Sequence, residues 1–138
     1  MKINKPANEV FEAFVDPAKI GNYWFSSSSE RWEKGKKILL RYDEYGAEGF
    51  INIIELQENK QINFSWGEQN DETVVTITLD VLDENSTIVK VSESGFKAED
   101  PDIVTKMLGQ KEGWIYMLSC LKSYLEHDIK DLRASLVH

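Results

Sequence analysis

The spacing of apolar residues divides the chain into three stretches, with a helical period at each end and a strand period between them. We predict a first helix beginning at Pro6, whose fixed φ suits the first helical position. One side of this helix is apolar: Val10, Phe11, Phe14 and Val15. A second, short helix follows, with Asp16 as its N-terminal cap and Pro17 as its first residue. The chain therefore opens with two short helices.

The middle of the chain has the alternation of a sheet that is buried on one face. Turn sequences recur between residues 35 and 95, and they separate five predicted strands: 37–42, 49–56, 61–66, 72–82 and 87–93. Loops this short join antiparallel neighbours, so the strands form a meander. The longest strand has one face that we expect to be buried: Thr73, Val75, Ile77, Leu79 and Val81. The four serines at 26–29 are predicted to form a loop.

The C-terminal stretch returns to a helical period and predicts one long helix. Asp100 is its expected cap, Pro101 its first residue, and it continues to about Asp128. Its apolar face is continuous: Trp114, Met117, Leu118, Leu121 and Leu125. Such a face must lie along the apolar face of the sheet. We therefore predict a single α+β domain over 1–138, in which a curved antiparallel meander wraps around the long helix.

Composition and charge exclude several classes of function. The net charge is −8, and residues 41–100 hold fourteen acidic against four basic residues. Such a surface repels phosphate backbones and anionic lipid, which argues against nucleic-acid and membrane roles. There is one cysteine, no apolar run of about 18 residues and no apolar signal-peptide core. We therefore expect a cytoplasmic protein.

Several short segments, taken in order, are similar to a known family. They are Pro6-Ala7-Asn8-Glu9-Val10-Phe11-Glu12-Ala13-Phe14, Asp16-Pro17, Tyr23-Trp24-Phe25, Gly49-Phe50-Ile51, Ile62-Asn63-Phe64-Ser65-Trp66 and Gly113-Trp114. This set resembles the START-like (SRPBCC) superfamily, and within it the branch named after activators of the heat-shock-protein-90 ATPase (the Aha type). The resemblance implies a helix-grip fold. Two features differ from the family pattern, since only Met1 to Lys5 precede the first helix and Gly35-Lys36 replaces a doubled glycine. The first strand should therefore be short or missing, which leaves one sheet edge exposed.

The resemblance also implies an apolar cavity between the sheet and the long helix. The residues expected to face it are Tyr42, Phe50, Phe64, Trp66, Val75, Ile77, Trp114, Met117 and Leu121. Tyr42 and Trp66 are candidate anchors for a ligand, because a buried O–H or N–H needs a hydrogen-bond partner. The alternative is that these side chains simply fill the core.

Residues that could support catalysis do not form a recognisable set. His127 and the terminal His138 have no partner nearby in sequence, and Cys120 lies on the apolar flank of the helix as a packed thiol. Relatives use buried acids in cyclase chemistry, and the strands here offer three candidates: Glu48, Glu55 and Glu93. Strand carboxylates usually face water, however. We therefore predict no enzymatic activity, no metal and no cofactor.

Two functions remain open. The first is a non-catalytic module that binds a small apolar ligand, and it requires a void of roughly 300 Å³ or more inside the grip. The alternative is a protein-interaction domain, as in chaperone activation, or a homodimer formed through Trp24 or a strand edge. It would use the segments Tyr23-Trp24-Phe25 and Arg31-Trp32 together with the acidic strands, and it should expose an apolar patch on the order of several hundred Å².

Overall fold

A seven-stranded antiparallel sheet forms the frame of the computed structural model, which describes residues 1–137. Its strand order is β1-β7-β6-β5-β4-β3-β2. The strands are β1 (Lys2–Ile3), β2 (Ser27–Ser28), β3 (Lys37–Tyr42), β4 (Ala47–Gln57), β5 (Gln61–Trp66), β6 (Thr73–Asp83) and β7 (Ser86–Ser94). The helices are α1 (Ala7–Val15), α2 (Pro17–Ile20) and α3 (Ile103–His127). This confirms the predicted α+β helix-grip fold, with a meander from β3 to β7 and a long C-terminal helix.

The two N-terminal helices lie close to where the sequence predicts them. Pro6 has an extended ψ of 152° and caps α1, so the helix begins one residue later than expected. All four residues of the predicted apolar stripe are buried: Val10, Phe11, Phe14 and Val15. Asp16 caps α2 as predicted, because its side chain accepts a hydrogen bond of 2.9 Å from the Ala18 N–H.

The strands follow the predicted alternation until the tip of the last hairpin. On β6, Thr73, Val75, Ile77 and Leu79 are buried, whereas Val81 is 67% exposed. The prediction for Val81 was therefore wrong. The pairing of β6 with β7 is irregular between Val81 and Asp83, and this end of the hairpin projects into solvent. Alternation marks a face of the strand but not how far the core extends beneath it.

Both edges of the sheet end in strands of two residues. At one edge β1 pairs with β7 and buries Ile3 completely, which confirms that the first strand is short. At the other edge Ser27 and Ser28 pair with Arg41 and Leu40. The serines were predicted to form a loop, but part of this segment is a strand.

Aromatic side chains from the segment after α2 pack into the core. Tyr23, Trp24 and Trp32 are 1%, 7% and 1% exposed, which contradicts their predicted role in an exposed interaction surface. The physical reason is that each polar atom of Tyr23 and Trp32 has an internal partner. The Tyr23 hydroxyl donates to the Ala13 carbonyl at 2.8 Å, and Trp32 Nε1 donates to Ser28 Oγ at 3.2 Å.

Helix α3 begins two residues after the predicted start and ends one residue before the predicted end. Asp100 caps the preceding turn instead of the helix, accepting a hydrogen bond from the Asp102 N–H at 2.8 Å. The second half of α3 is buried against the sheet through Met117, Leu118, Cys120 and Leu121. The first half exposes its apolar side chains: Val104, Met107 and Leu108. Along residues 1–137, none of the helices has the length and apolar character needed to cross a membrane.

Candidate ligand-binding cleft

A cleft of about 550 Å³ opens between the first half of α3 and the sheet, beside the loops that join β3 to β4 and β5 to β6. We call it the sheet cleft. Its apolar walls come from the sheet and the segment before it: Phe25, Leu40, Tyr42, Phe50, Ile51 and Trp66. Its opposite wall is α3, which contributes Thr105, Lys106, Gly109 and Gln110. Apart from the backbone of α3 itself, no atom lies within 4 Å of the position that a Cβ at Gly109 would occupy, so there is open space beside this wall.

Glu93, near the end of β7, is a polar centre within these apolar walls. Oε2 accepts hydrogen bonds from Trp66 Nε1 at 3.0 Å and from the Thr73 hydroxyl. Oε1 accepts from Trp114 Nε1 at 2.9 Å. The Gln110 amide bridges both oxygens at 3.1 and 3.2 Å. The carboxylate therefore joins three strands to α3 through neutral donors.

The two indoles that bind Glu93 also stack on each other. The ring centroids of Trp66 and Trp114 are 5.2 Å apart with an interplanar angle of 21°. Trp24 packs edge-on against Trp66 at 6.3 Å and against Trp114 at 5.6 Å. Aromatic pairs in these geometries add about 0.5–1.5 kcal/mol beyond the area they bury. The three indoles pack between the sheet and α3 beside the sheet cleft, and Trp66 also forms part of the cleft wall.

Local sequence explains why the donors meet at one carboxylate. Trp66 ends β5 and Thr73 begins β6, and the two residues are paired across the strands. The turn between them passes through Gly67, whose φ of +110° disfavours any residue with a side chain. Glu93 follows Val91 and Val89 at every second position of β7, so its side chain points to the same face as the core.

A second cleft, of about 720 Å³, lies on the other side of α3 next to β7. We call it the outer cleft. Its apolar lining includes Val89, Val91, Phe96, Val104, Met107, Leu108 and Ile115. Glu93 and Gln110 line both clefts and so form the partition between them.

The nine residues predicted to face a cavity have three different positions. Tyr42, Phe50 and Trp66 line the sheet cleft, and Trp114 lines the outer cleft. The other five are buried and line neither cleft: Phe64, Val75, Ile77, Met117 and Leu121. Phe50 is half exposed at the rim, where the Lys37 ammonium lies 4.4 Å from its ring centroid.

The two predicted anchors both have internal hydrogen-bond partners. The Tyr42 hydroxyl donates to the Arg133 carbonyl at 2.8 Å, and partial burial raises its pKa to about 12. Trp66 donates to Glu93. Sequence reasoning missed Glu93 as part of a binding site and treated it only as an acid that could be buried. Its place in the series Val89, Val91, Glu93 was the available signal, because alternation puts this carboxylate on the core face.

Glu48, the second candidate acid, lines the sheet cleft, whereas the other candidates for chemistry lie apart from both clefts. His127 is exposed at the end of α3, and His138 lies outside the described residues. Cys120 is buried, and burial raises the pKa of its thiol. Glu55 pairs with Lys34 at 2.9 Å and remains 41% exposed. Within residues 1–137, no group of three or more His, Cys, Asp or Glu side chains could hold a metal ion.

Comparison with known proteins finds a matching family model and similar solved structures. The family model described as "Activator of Hsp90 ATPase homolog 1-like protein" matches residues 4–126. The protein SSP2350 from Staphylococcus saprophyticus is 49% identical over 94% of this chain and 92% of its own, with a TM-score of 0.80. No curated protein matches the sequence.

Two more distant solved structures share the fold alone. DynU16, from the dynemicin biosynthetic locus, is 21% identical over 94% of this chain and 46% of its own, with a TM-score of 0.79. The Aha1 dimer from Colwellia psychrerythraea is 16% identical over 92% of both chains, with a TM-score of 0.76.

Proposed function

This chain belongs to the family of Activator of Hsp90 ATPase homolog 1-like proteins, which has the START-like (SRPBCC) helix-grip fold. We propose that it is a non-catalytic binding module. It holds a small apolar ligand between the sheet and α3. The observation that carries this proposal is the sheet cleft, whose volume of about 550 Å³ lies in the range of small-molecule sites.

The composition of the sheet cleft also suits a ligand. Tyr42, Phe50 and Trp66 supply aromatic surface, while Thr73, Glu93 and Gln110 supply a few polar groups at one end. Small-molecule sites combine these two elements, because apolar walls give binding energy and convergent polar groups fix orientation. In this proposal the five buried residues of the predicted set support the walls without contacting the ligand.

One observation favours a protein partner as a second candidate. The first half of α3 exposes four apolar residues at helical spacing: Val104, Met107, Leu108 and Ile115, which are 49–66% exposed. A stripe of this kind is typical of helices that pack against another protein. The relative from Colwellia psychrerythraea is a dimer, so a second copy of the chain is one such partner.

A substitution that fills the cleft tests the first proposal. Gly109 lines the sheet cleft on α3, and no atom lies within 4 Å of where its Cβ would be. The leucine side chain of the Gly109→Leu variant should therefore occupy the sheet cleft. The helix should remain intact, since leucine forms helices better than glycine. Gly113→Leu is the matched control, because Gly113 lies one turn later, is equally open and lines neither cleft.

Native mass spectrometry of protein purified from cells is the first measurement. We expect a small-molecule adduct on the wild type and on Gly113→Leu that is lost on denaturation and absent from Gly109→Leu. Protein that carries no adduct is then titrated with Nile red, a neutral apolar dye. Its fluorescence should rise with the wild type and the control but not with Gly109→Leu. An adduct or dye signal that survives in Gly109→Leu would contradict the proposed position, and a dimer in the same spectrum would support the second candidate.

A further inference from the structure

Glu93 is a charged group in the sheet cleft that lacks a counter-ion. Within residues 1–137, no Lys, Arg or His nitrogen lies within 4.0 Å of its carboxylate. Its hydrogen bonds come from two indoles, one hydroxyl and one amide, all of them neutral. The negative charge at this end of the cleft is therefore solvated by dipoles but not neutralised.

The remaining charged groups of the sheet cleft all have partners of opposite sign. Glu48 lies 3.6 Å from the Arg41 guanidinium, and Asp71 lies 3.3 Å from the Lys97 ammonium. Lys106, the cation of the lining, is bound by Asp100 at 2.5 Å. Glu93 consequently sets the sign of the field that a ligand meets inside the cleft.

We infer that the ligand of the sheet cleft is a lipophilic amine, whose protonated nitrogen binds Glu93 while its apolar body lies along Tyr42 and Trp66. This inference rests on the proposed function and names the ligand class for it. The attraction between a cation and a carboxylate is stronger in an apolar cleft than in water, because the surrounding dielectric is lower. A ligand that carries a carboxylate is repelled at the same place, so the site discriminates against fatty acids.

Gln110 is the donor that an ammonium group would replace. It holds Glu93 through the longest bonds of the set, 3.1 and 3.2 Å, and it shares one N–H₂ group between two oxygens. It lies on the loosely packed first half of α3, one turn before Trp114, whose indole is held in place by stacking on Trp66. The two indoles and Thr73 are fixed by strand pairing and ring stacking, and they would remain bound when the amine arrives.

Three matched probes test the charge requirement: 2-naphthylmethylamine, 2-naphthalenemethanol and 2-naphthoate, which differ in the group attached to one ring system. Binding is measured at pH 7 from the ¹⁵N–¹H resonances of the Trp66 and Trp114 indoles. We expect the amine to bind about tenfold or more tightly than the alcohol, and naphthoate to bind most weakly. In Glu93→Gln the advantage of the amine over the alcohol should fall below about threefold.

Glu72→Gln provides the matched control, because it removes the same charge from an exposed position that lines neither cleft. It should leave the advantage of the amine intact. Gln110→Ala removes the competing donor and should increase that advantage, which gives a second test if Glu93→Gln is unstable. Equal binding of amine and alcohol to the wild type would overturn the inference while leaving the proposed function in place. The absence of a saturable shift with all three probes would overturn both, and an advantage retained in Glu93→Gln would show that the cation binds elsewhere.

Discussion

The buried guanidinium of Arg133 holds the segment after α3 to the turn between β3 and β4. This contact gives the sharpest stability prediction. Arg133 donates to both oxygens of Glu44 at 2.7 and 2.9 Å and to the Trp24 carbonyl at 2.7 Å. The Arg133 side chain is 7% exposed, whereas Glu44 is 38% exposed. Glu44→Gln keeps the size of the side chain and removes the charge that the guanidinium needs.

The expected cost lies between the values for exposed and buried ion pairs. Hydrogen bonds to charged groups contribute about 1.5–3 kcal/mol, and exposed pairs contribute about 0.2–1 kcal/mol. Solvent reaches the carboxylate of this pair but not the guanidinium, so screening is partial. We therefore expect Glu44→Gln to lower the free energy of unfolding by about 1–2 kcal/mol at pH 7.

The same contact makes the stability depend on pH in a defined direction. The hydrogen bonds from Arg133 lower the pKa of Glu44 from 4.5 to about 2. Because the unfolded chain binds this proton more readily, the stabilisation is complete above about pH 5 and is lost as the pH falls from 4.5 toward 2. A glutamine at this position does not titrate, so the difference between the two proteins should shrink over that window.

Urea denaturation followed by far-ultraviolet circular dichroism, at pH 7, 4 and 3, measures both effects. Glu48→Gln is the matched control, because Glu48 is 62% exposed and its carboxylate lies 3.6 Å from Arg41. It should cost less than about 0.5 kcal/mol at pH 7. The reasoning fails if Glu44→Gln is as stable as the wild type at pH 7, or if its deficit is the same at pH 3.

Two further predictions concern the backbone and the thiol. Gly113→Ala on α3 should raise the free energy of unfolding by about 0.5–1 kcal/mol, because the position is open and alanine favours the helix. Gly95→Ala should lower the free energy of unfolding by more than about 1 kcal/mol, because Gly95 has a φ of +96° and a Cβ there would meet the Glu72 carbonyl at 3.2 Å. Thermal denaturation of both variants checks the opposite signs. Cys120 should react with Ellman's reagent at pH 7 at least about 100-fold more slowly in the native protein than in urea, because the residue is only 1% exposed and burial also raises the pKa of its thiol. Equal rates would mean that the face of α3 that carries Cys120 is not packed against the rest of the protein.

The sequence predicts most of the fold because local patterns and global packing agree in the sheet. The alternation from Thr73 to Leu79 and the cap at Asp16 each specify one outcome, and both occur. The pattern fails where burial depends on a distant element. Trp32 stands between Arg31 and Glu33, and the aromatic segment of Trp24 runs into four serines. Distant residues bury both indoles, since Trp24 packs on Trp66 and Trp114 and Trp32 packs on Phe64. Val81 continues the alternation of β6 beyond the end of the core.

The candidate site was harder to predict than the fold, and the reason is geometric. Period two puts Phe64 and Trp66 on the same face of β5, yet Phe64 is fully buried and Trp66 lines the sheet cleft. The difference arises from the position of α3 above the sheet, which no local pattern encodes. For Glu93 the local pattern was informative, because the alternation of β7 indicates that its side chain faces the core. The prediction instead followed the general rule that strand carboxylates face water.

Both clefts are lined by the first half of α3, where the apolar side chains are exposed. Met117, Leu118, Cys120 and Leu121 are buried, whereas Val104, Met107 and Leu108 are exposed. The exposed segment also contains Gly109 and Gln110, whose amide binds Glu93. Segments with few buried apolar contacts are those that open locally at the lowest free energy. Opening α3 from its start to Gln110 would break the bonds from Gln110 and widen the path to Glu93, while Trp114 and the buried residues after it hold the rest of the helix in place. A ligand that replaces Gln110 on Glu93 would therefore bind where local opening costs the least free energy. Its own bond to Glu93 would replace the Gln110 hydrogen bonds that opening breaks.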